Sequence, residues 1–318
     1  MHRSIHSLHW LSGGMLALIF LLPFNSYGQA LRFPQGVASG DPWPTQVIIW
    51  TRALPPEGVS ETGGLYQIAR DSLFQQLLIE NVFRTDSSRD FTVKIDVEDL
   101  QPGQTYYYRF GHPDNWSPTG RTRTAIVDDP ASLRFAVVSC NNYQHGYFGA
   151  YRVIARMDSL QAVLHLGDYI YESLYSTKKK LADRRHQPNR ETISLADYRE
   201  RYAQYRSDPD LRAAHQRHPF ILVWDDHESS NNSSKDGAQG HQSATEGPWS
   251  DRLSAAAQAY YEWLPIREGG PLYRQFKFGQ MADLYMLDTR ISGRESQIYD
   301  VEDSALYAAE RTLLGEAQ

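Results

Sequence analysis

An antiparallel β-sandwich followed by an α/β layered domain is the fold that this sequence predicts, on three observations. Before Asp128-Asp129-Pro130 the chain consists of short alternating segments separated by Pro, Gly and Asp turns. After it, continuous apolar runs rich in β-branched residues alternate with helical patterns. Each of those later runs stops abruptly on a polar side chain.

Taken in order, residues 1–28 read as a Sec-type export leader. They hold one arginine, no acid and an apolar stretch from Met15 to Phe24, with Ser26 and Gly28 as small residues at the cleavage position. The apolar stretch is too short for a membrane span. Periplasmic or secreted localisation follows as the expectation. Residues 29–128 form the sandwich region. "TQVIIWTR", "GLYQIARD", "DFTVKIDVEDL" and "TYYYRFG" are its strands, and "LQPGQTYYYRFG" resembles the tyrosine-bearing corner of immunoglobulin-like and fibronectin-like modules. Residues 129–318 form the layered region. "LRFAVVS", "AVLHLGD" and "FILVW" read as buried strands. Helices are expected over Gly149–Met157, Ala196–Arg206, Asp208–Arg217 and Leu253–Leu264. "YRQFKFG" and "ADLYMLDTR" read as a pair of strands, and Ser229–Glu246 as a loop.

Composition narrows the function. The 318 residues carry a net charge of −6, and loss of the leader removes one arginine and no acid, which argues against a general nucleic-acid binder. Cys140 is the one cysteine, so no internal disulfide can form. A buried small hydrophobe is the plain reading of such a thiol.

Its position says more. The strand endings bring Cys140-Asn141-Asn142, Asp168, Asp225-Asp226-His227-Glu228 and Asp288-Thr289-Arg290 toward one edge, where ligands collect in open α/β sheets. Acids, an imidazole and a thiol converging there repel one another unless a cation lies between them, so a metal centre is expected. Gly167 lets the backbone turn before Asp168. Tyr171 returns its phenol to the same ion if a helical turn begins at Asp168; packing under a helix is the competing reading. Phenolate and thiolate donors favour ferric iron, whereas carboxylate, amide and water favour Ca²⁺ or Mg²⁺. His165 alternates with apolar residues and reads as a core histidine. Arg184, Arg185 and His186 lie in a basic loop that begins at Lys178; a solvated surface run and a phosphate-binding loop are both open to it.

"SCNNYQHGYFGAY", "LHLGDYIYE", "RRH", "TISLADYRERYAQYRSDPDL", "WDDHESSNN" and "YMLDTR" resemble the PhoD-type alkaline phosphatase family within the calcineurin-like metallophosphatases, and "GVASGDPWPTQVIIWTR" resembles that family's N-terminal domain. The resemblance implies that Cys140, Asp168 and Tyr171 bind iron and that Asp168 bridges to a second metal. It places Asp226-His227 where the superfamily has the Asn-His of its Gly-Asn-His-Glu motif. Asn231 and Asn232 match an Asn pair, one of them a Ca²⁺ ligand; among Asp225, Asp226 and Asn231 the metal contact stays open. Arg184 and Arg185 would meet phosphate, and His227 would position substrate or protonate the leaving group.

The implied function is hydrolysis of phosphate mono- or diesters by a metal-bound hydroxide, with ferric iron and Ca²⁺ or other divalent cations as cofactors and a phosphate ester as the partner. A phospholipase D-like diesterase and a non-catalytic extracellular module are the alternatives. Family members have Val and Glu where this chain has Ser229-Ser230, and they carry a late Gly-Asp-x-His segment that is not found after Asp288. The layered domain is therefore expected to be incomplete at its C-terminus.

Overall fold

The computed structural model describes residues 31–174 and 180–318. The leader over 1–28 and the start of the basic loop at Lys178 lie outside the described residues. No helix among the described residues is long and apolar enough to cross a membrane.

The first part of the chain gives β1 (Val37–Gly40), β2 (Val47–Arg52), β3 (Glu61–Ala69), β4 (Leu77–Asp86), β5 (Thr92–Val97), β6 (Thr105–His112), β7 (Asn115–Trp116) and β8 (Gly120–Arg123). The second part gives β9 (Phe135–Val138), α1 (Gly149–Ile154), β10 (Ala162–His165), α2 (Leu195–Tyr205), α3 (Pro209–Arg217) and β11 (Pro219–Leu222). It continues with the short pair β12 (Ser233–Ser234) and β13 (Gly237–Ala238), then α4 (Ser243–Glu246), α5 (Trp249–Trp263), β14 (Arg274–Phe278) and β15 (Ala282–Met286).

The expected helices form, with ends shifted by a few residues; α5 begins at Trp249, four residues before the apolar periodicity does. Local signals set the starts. Ser194 caps α2 in a reciprocal box with Asp197, and Asp208 caps α3 just ahead of Pro209. The Tyr106 hydroxyl accepts from the Gln101 N–H at 2.7 Å and so ties the strand to its corner.

Sheet pairing joins the two regions. One six-stranded sheet runs β5-β2-β1-β11-β10-β9, antiparallel through β5, β2 and β1 and parallel from β1 to β9. A second sheet runs β4-β3-β6-β7, with β8 on β6. The side-chain alternation of β1 and β2 serves both cores. Val37, Val47 and Ile49 pack with Ile68, Phe83, Tyr106, Tyr108 and Phe110 of the second sheet. Ala38 and Trp50 point the other way, into the large cluster formed with β10, β11, α2, α3 and α5. Trp50 is fully buried and donates its indole N–H to the Glu262 carbonyl at 2.8 Å. Truncating such a residue to Ala costs about 3–5 kcal/mol.

β9 departs from the expected buried strand. It is the edge of its sheet, with Phe135, Ala136 and Val138 half-buried and Val137 exposed. An apolar β-branched run is compatible with a central or an edge position, and residue type alone does not separate them.

Candidate metal centre

β9, β10 and β11 run parallel, so the segments that follow them emerge at one edge. Backbone bonds then lock two of those segments together: Cys140 N–H donates to the Gly167 carbonyl and Asn141 N–H to the Asp168 carbonyl, both at 3.2 Å. Gly167 has φ +101°, and a Cβ there would lie 2.2 Å from the Asp225 nitrogen. The β10 ending thus lies flat against the β11 ending only because position 167 has no side chain.

Three non-glycine residues at this edge hold left-handed backbone: Cys140 at φ +58°, Asp168 at +54° and Asn232 at +53°. Such strain gathers at sites where geometry is imposed for function. Asp168 therefore does not begin the helical turn that was the condition for Tyr171's return. Tyr171 returns to it nonetheless, donating its hydroxyl to Asp168 Oδ2 at 2.8 Å across an irregular turn.

The framework beneath is saturated with hydrogen bonds. His165 is fully buried; its Nδ1 accepts from the Gly167 N–H at 3.3 Å, so its Nε2 donates to Asn141 Oδ1 at 2.6 Å. Asn141 passes its amide to the Tyr169 carbonyl and accepts from the Tyr151 hydroxyl. Glu228, also buried, accepts from the Tyr169 N–H at 2.6 Å and the Asp225 N–H at 2.9 Å, bridging the endings of β10 and β11. Burial, with the Asp168 charge added, lifts the Glu228 carboxyl to about 8.

On that frame, ligand atoms of Asp168, Asp226 and His227 lie within 4.8 Å of one another. Asp168 Oδ1 is buried with no hydrogen-bond partner. Burial raises the Asp168 carboxyl; His227 opposes that shift, while Asp226 and Asp225 add to it. Cys140 sits close enough to hydrogen-bond with both Asp168 and Tyr171, and partial desolvation raises its thiol. Burial and then the Asp168 charge push the Tyr171 phenol up. The Cys140 thiol, the Tyr171 phenol and the Asp168 carboxyl are held away from their charged forms, and a bound cation would reverse those shifts. The orphaned oxygen, the cluster of donors and the electrostatics fit a metal.

Two further residues complete the wall. Buried Glu172 accepts from the Asn231 N–H at 2.7 Å and holds His227 Nδ1 at 2.7 Å, and the Tyr171 ring lies over the His227 ring with centroids 4.3 Å apart. Burial lowers the basicity of His227, but the Glu172 bond and the charges of Glu172, Asp168 and Asp226 outweigh it and lift the imidazole to about 9. Arg290 reaches Asp225 at 2.5 Å and Asp226 at 3.4 Å.

The structure thus gathers Cys140, Asp168, Tyr171, Asp225, Asp226, His227 and Asn231 at one edge. Arg184 stands apart from the expected phosphate contact. It is buried, pairs with Asp208 at 2.8 Å, donates to the Tyr143 carbonyl and lies over the Tyr143 ring. Arg185 is exposed. Glu172, Glu228 and Arg290 had been given no role from the sequence, although all three lie in or beside the quoted motifs.

A family model described as "PhoD-like phosphatase, N-terminal domain" matches residues 22–126, and one described as "PhoD-like phosphatase" matches residues 135–318. The chain is 38% identical over 287 residues to alkaline phosphatase D of Bacillus subtilis (strain 168), which covers 84% of this chain and 47% of that protein. A solved structure titled "Structure of PhoD" superposes with a TM-score of 0.78 at 36% identity, covering 89% of this chain and 57% of that one. The chain spans about half the length of the curated relative it matches.

Proposed function

This chain belongs to the PhoD-like phosphatase family, and we propose that it is a metal-dependent hydrolase of phosphate mono- or diesters whose reaction takes place at the Asp168–Asp226–His227 edge. The observation that carries the reading is the buried, unpartnered Asp168 Oδ1 facing two further ligand groups. A buried carboxylate oxygen in that state keeps its charge only beside a cation.

Asp168, with Tyr171 and Cys140 on one side and Asp226 on the other, would hold the ions. The soft thiolate and phenolate suit ferric iron; Asp225 or Asp226 with the Asn231 amide oxygen suits Ca²⁺ or another hard divalent ion. Bound there, the metals would supply Lewis acidity toward the phosphoryl oxygens and a nucleophile at moderate pH.

The chain's own groups do the remaining positioning. Glu172 fixes His227 through Nδ1 and leaves Nε2 as the atom able to give a proton to the departing oxygen. Arg290 brings a planar cation against Asp225 and Asp226, in place to balance the acids and to take a phosphoryl oxygen. Arg185 is the exposed arginine of the basic loop and the one free to meet substrate; Arg184 supports that loop through Asp208. An exported protein fits the leader-like residues 1–28 and the iron–calcium pairing.

The test is metal analysis of protein purified without chelator, together with hydrolysis of p-nitrophenyl phosphate and its bis-substituted diester. Bound iron with a visible charge-transfer band, and turnover lost in Asp168→Asn, would support the reading. Full turnover by colourless, metal-free protein would refute it.

A further inference from the structure

Arg206 follows the last residue of α2 and is fully buried. Its guanidinium lies over the Trp50 ring, 4.6 Å from the centroid. Nε, Nη1 and Nη2 make no well-formed hydrogen bond, the neutral Tyr169 hydroxyl being the group in reach, and no carboxylate among the described residues comes within ion-pair distance of it. An arginine stays charged in any protein interior. A buried charge with neither pair nor hydrogen bond costs several kcal/mol, more than most folds can tolerate.

Its surroundings offer donors and no charge. Ser39 Oγ on β1 and Tyr108 Oη on β6 are buried, with each other as their one neighbour in hydrogen-bond reach. Tyr108 and Tyr169 lie close enough for Arg206 to act on both electrostatically. The Tyr169 hydroxyl is already shared with His215 Nε2 at 2.8 Å. Burial raises both phenols, so neither supplies a counter-charge. His215 is held neutral by burial, with Arg206 adding to the effect. The guanidinium is thus a fixed positive charge in an enclosed place, with only neutral groups around it and no counter-charge. The complement to that chemistry is a small anion.

We infer that Arg206, with the hydroxyls of Ser39 and Tyr108, holds a buried monovalent inorganic anion of the halide class where β1, β2 and β6 meet α2. The site is separate from the metal edge. Its elements come from both halves of the chain, so the ion acts as a structural staple between them. A halide suits it better than a phosphate: it needs few donors to replace its weak hydration, and every named lining residue is closed to solvent.

The test uses the full chain and chloride itself. Thermal unfolding is followed in sodium chloride and in sodium gluconate at equal ionic strength. Chloride should raise the melting temperature along a saturating curve, on the order of 5 °C at a hundred times its dissociation constant. Arg206→Met should abolish the difference between the two salts. Equal melting temperatures of the parent in both salts, or the same chloride response in the variant, would overturn the inference. Should Arg206→Met fail to fold, crystals of the parent grown in bromide decide: an anomalous peak against the Arg206 guanidinium upholds it, and its absence there overturns it.

Discussion

Asp168 and Asp288 both follow strands, both are almost fully buried, and only one has the makings of a ligand. Asp288 accepts from the N–H groups of Arg290, Ile291 and Ser292, from the Ser292 hydroxyl and from the Trp224 indole. Five donors leave it no need of a cation, and they make it the anchor of the loop that delivers Arg290. Asp168 accepts from the Tyr171 hydroxyl on Oδ2, has the Cys140 thiol beside it, and keeps Oδ1 without a hydrogen-bond partner. The comparison shows what a strand-end carboxylate does by asking who satisfies it: a saturated one organises backbone, an unsaturated one awaits an ion.

The largest effect should come from separating the two. Asp168→Asn keeps the shape and removes the charge, so turnover should fall by more than about 100-fold, beyond what loss of an outer partner costs. Its folding stability should hold or rise in metal-free protein, because a raised, repelled carboxyl is gone. Asp288→Asn should do the reverse: activity per folded molecule largely kept, and stability lowered by about 1–3 kcal/mol as buried donors lose an acceptor. Chemical denaturation and phosphatase assays on both variants read this directly. Matching losses of activity and stability in the two would erase the distinction.

Gly167→Ala sharpens the same contrast from the backbone side. The new Cβ would meet the Asp225 nitrogen at 2.2 Å, and φ +101° is strained for any L side chain. The two strand endings must part, at a cost of about 2–4 kcal/mol, and Asp168 moves with them. Denaturant midpoint and metal content should drop together. A variant as stable as the parent that still carries its metal would show that the close approach is not required.

Glu172→Gln comes next in size. Gln can still accept from the Asn231 N–H, but it no longer charges His227 through Nδ1. Outer partners of this kind are worth about 10–100-fold in activity. The fall should appear in kcat more than in KM, with little change in stability; an unchanged kcat would remove Glu172 from the machinery.

Why some of this was legible and some was not has a physical basis. The edge itself could be read because a strand ending on Gly-Asp or Asp-Asp-His interrupts an apolar run, and such interruptions are local. The helices could be read from caps such as Ser194 and Asp208 for the same reason. The pairing of β1 with β11 could not: Ser39 and Pro219 are brought into register across most of the chain, and nothing near either residue marks the other. That pairing is why the first region shares a sheet with the second. The backbone at Asp168 stayed open, a helical turn being only the condition under which Tyr171 would return, because Asp takes left-handed backbone more often than most residues yet at too few positions to mark one. Arg290 and Glu228 went unassigned because their partners, Asp225 and the Tyr169 N–H, lie 65 and 59 residues away in sequence.

The smallest predicted effect concerns two buried histidines at opposite ends of the parallel strands. Burial lowers His165 to about 3 and His218 to about 4; His165 uses both ring nitrogens in its neutral form, and His218 Nε2 bonds to the Ile154 carbonyl at 3.0 Å. In the unfolded chain the same residues titrate near 6.5. Between those limits the unfolded state binds protons that the folded state refuses. Stability from these groups is therefore complete above about pH 6.5 and is lost as the pH falls, by up to about 1.4 kcal/mol per unit for each histidine, levelling off below the folded values. Urea unfolding of metal-free protein at intervals from pH 7.5 to 4.5 should show the decline. Carboxylates contribute to it at the acid end, so the decisive control is His218→Asn, whose amide can donate to Ile154 without titrating. Its unfolding free energy should fall less steeply than the parent's by about one proton across the window from 6.5 to 4. Parallel curves would mean that His218 is not held neutral, and that the packing of α1 against the start of β11 is looser than its hydrogen bond indicates.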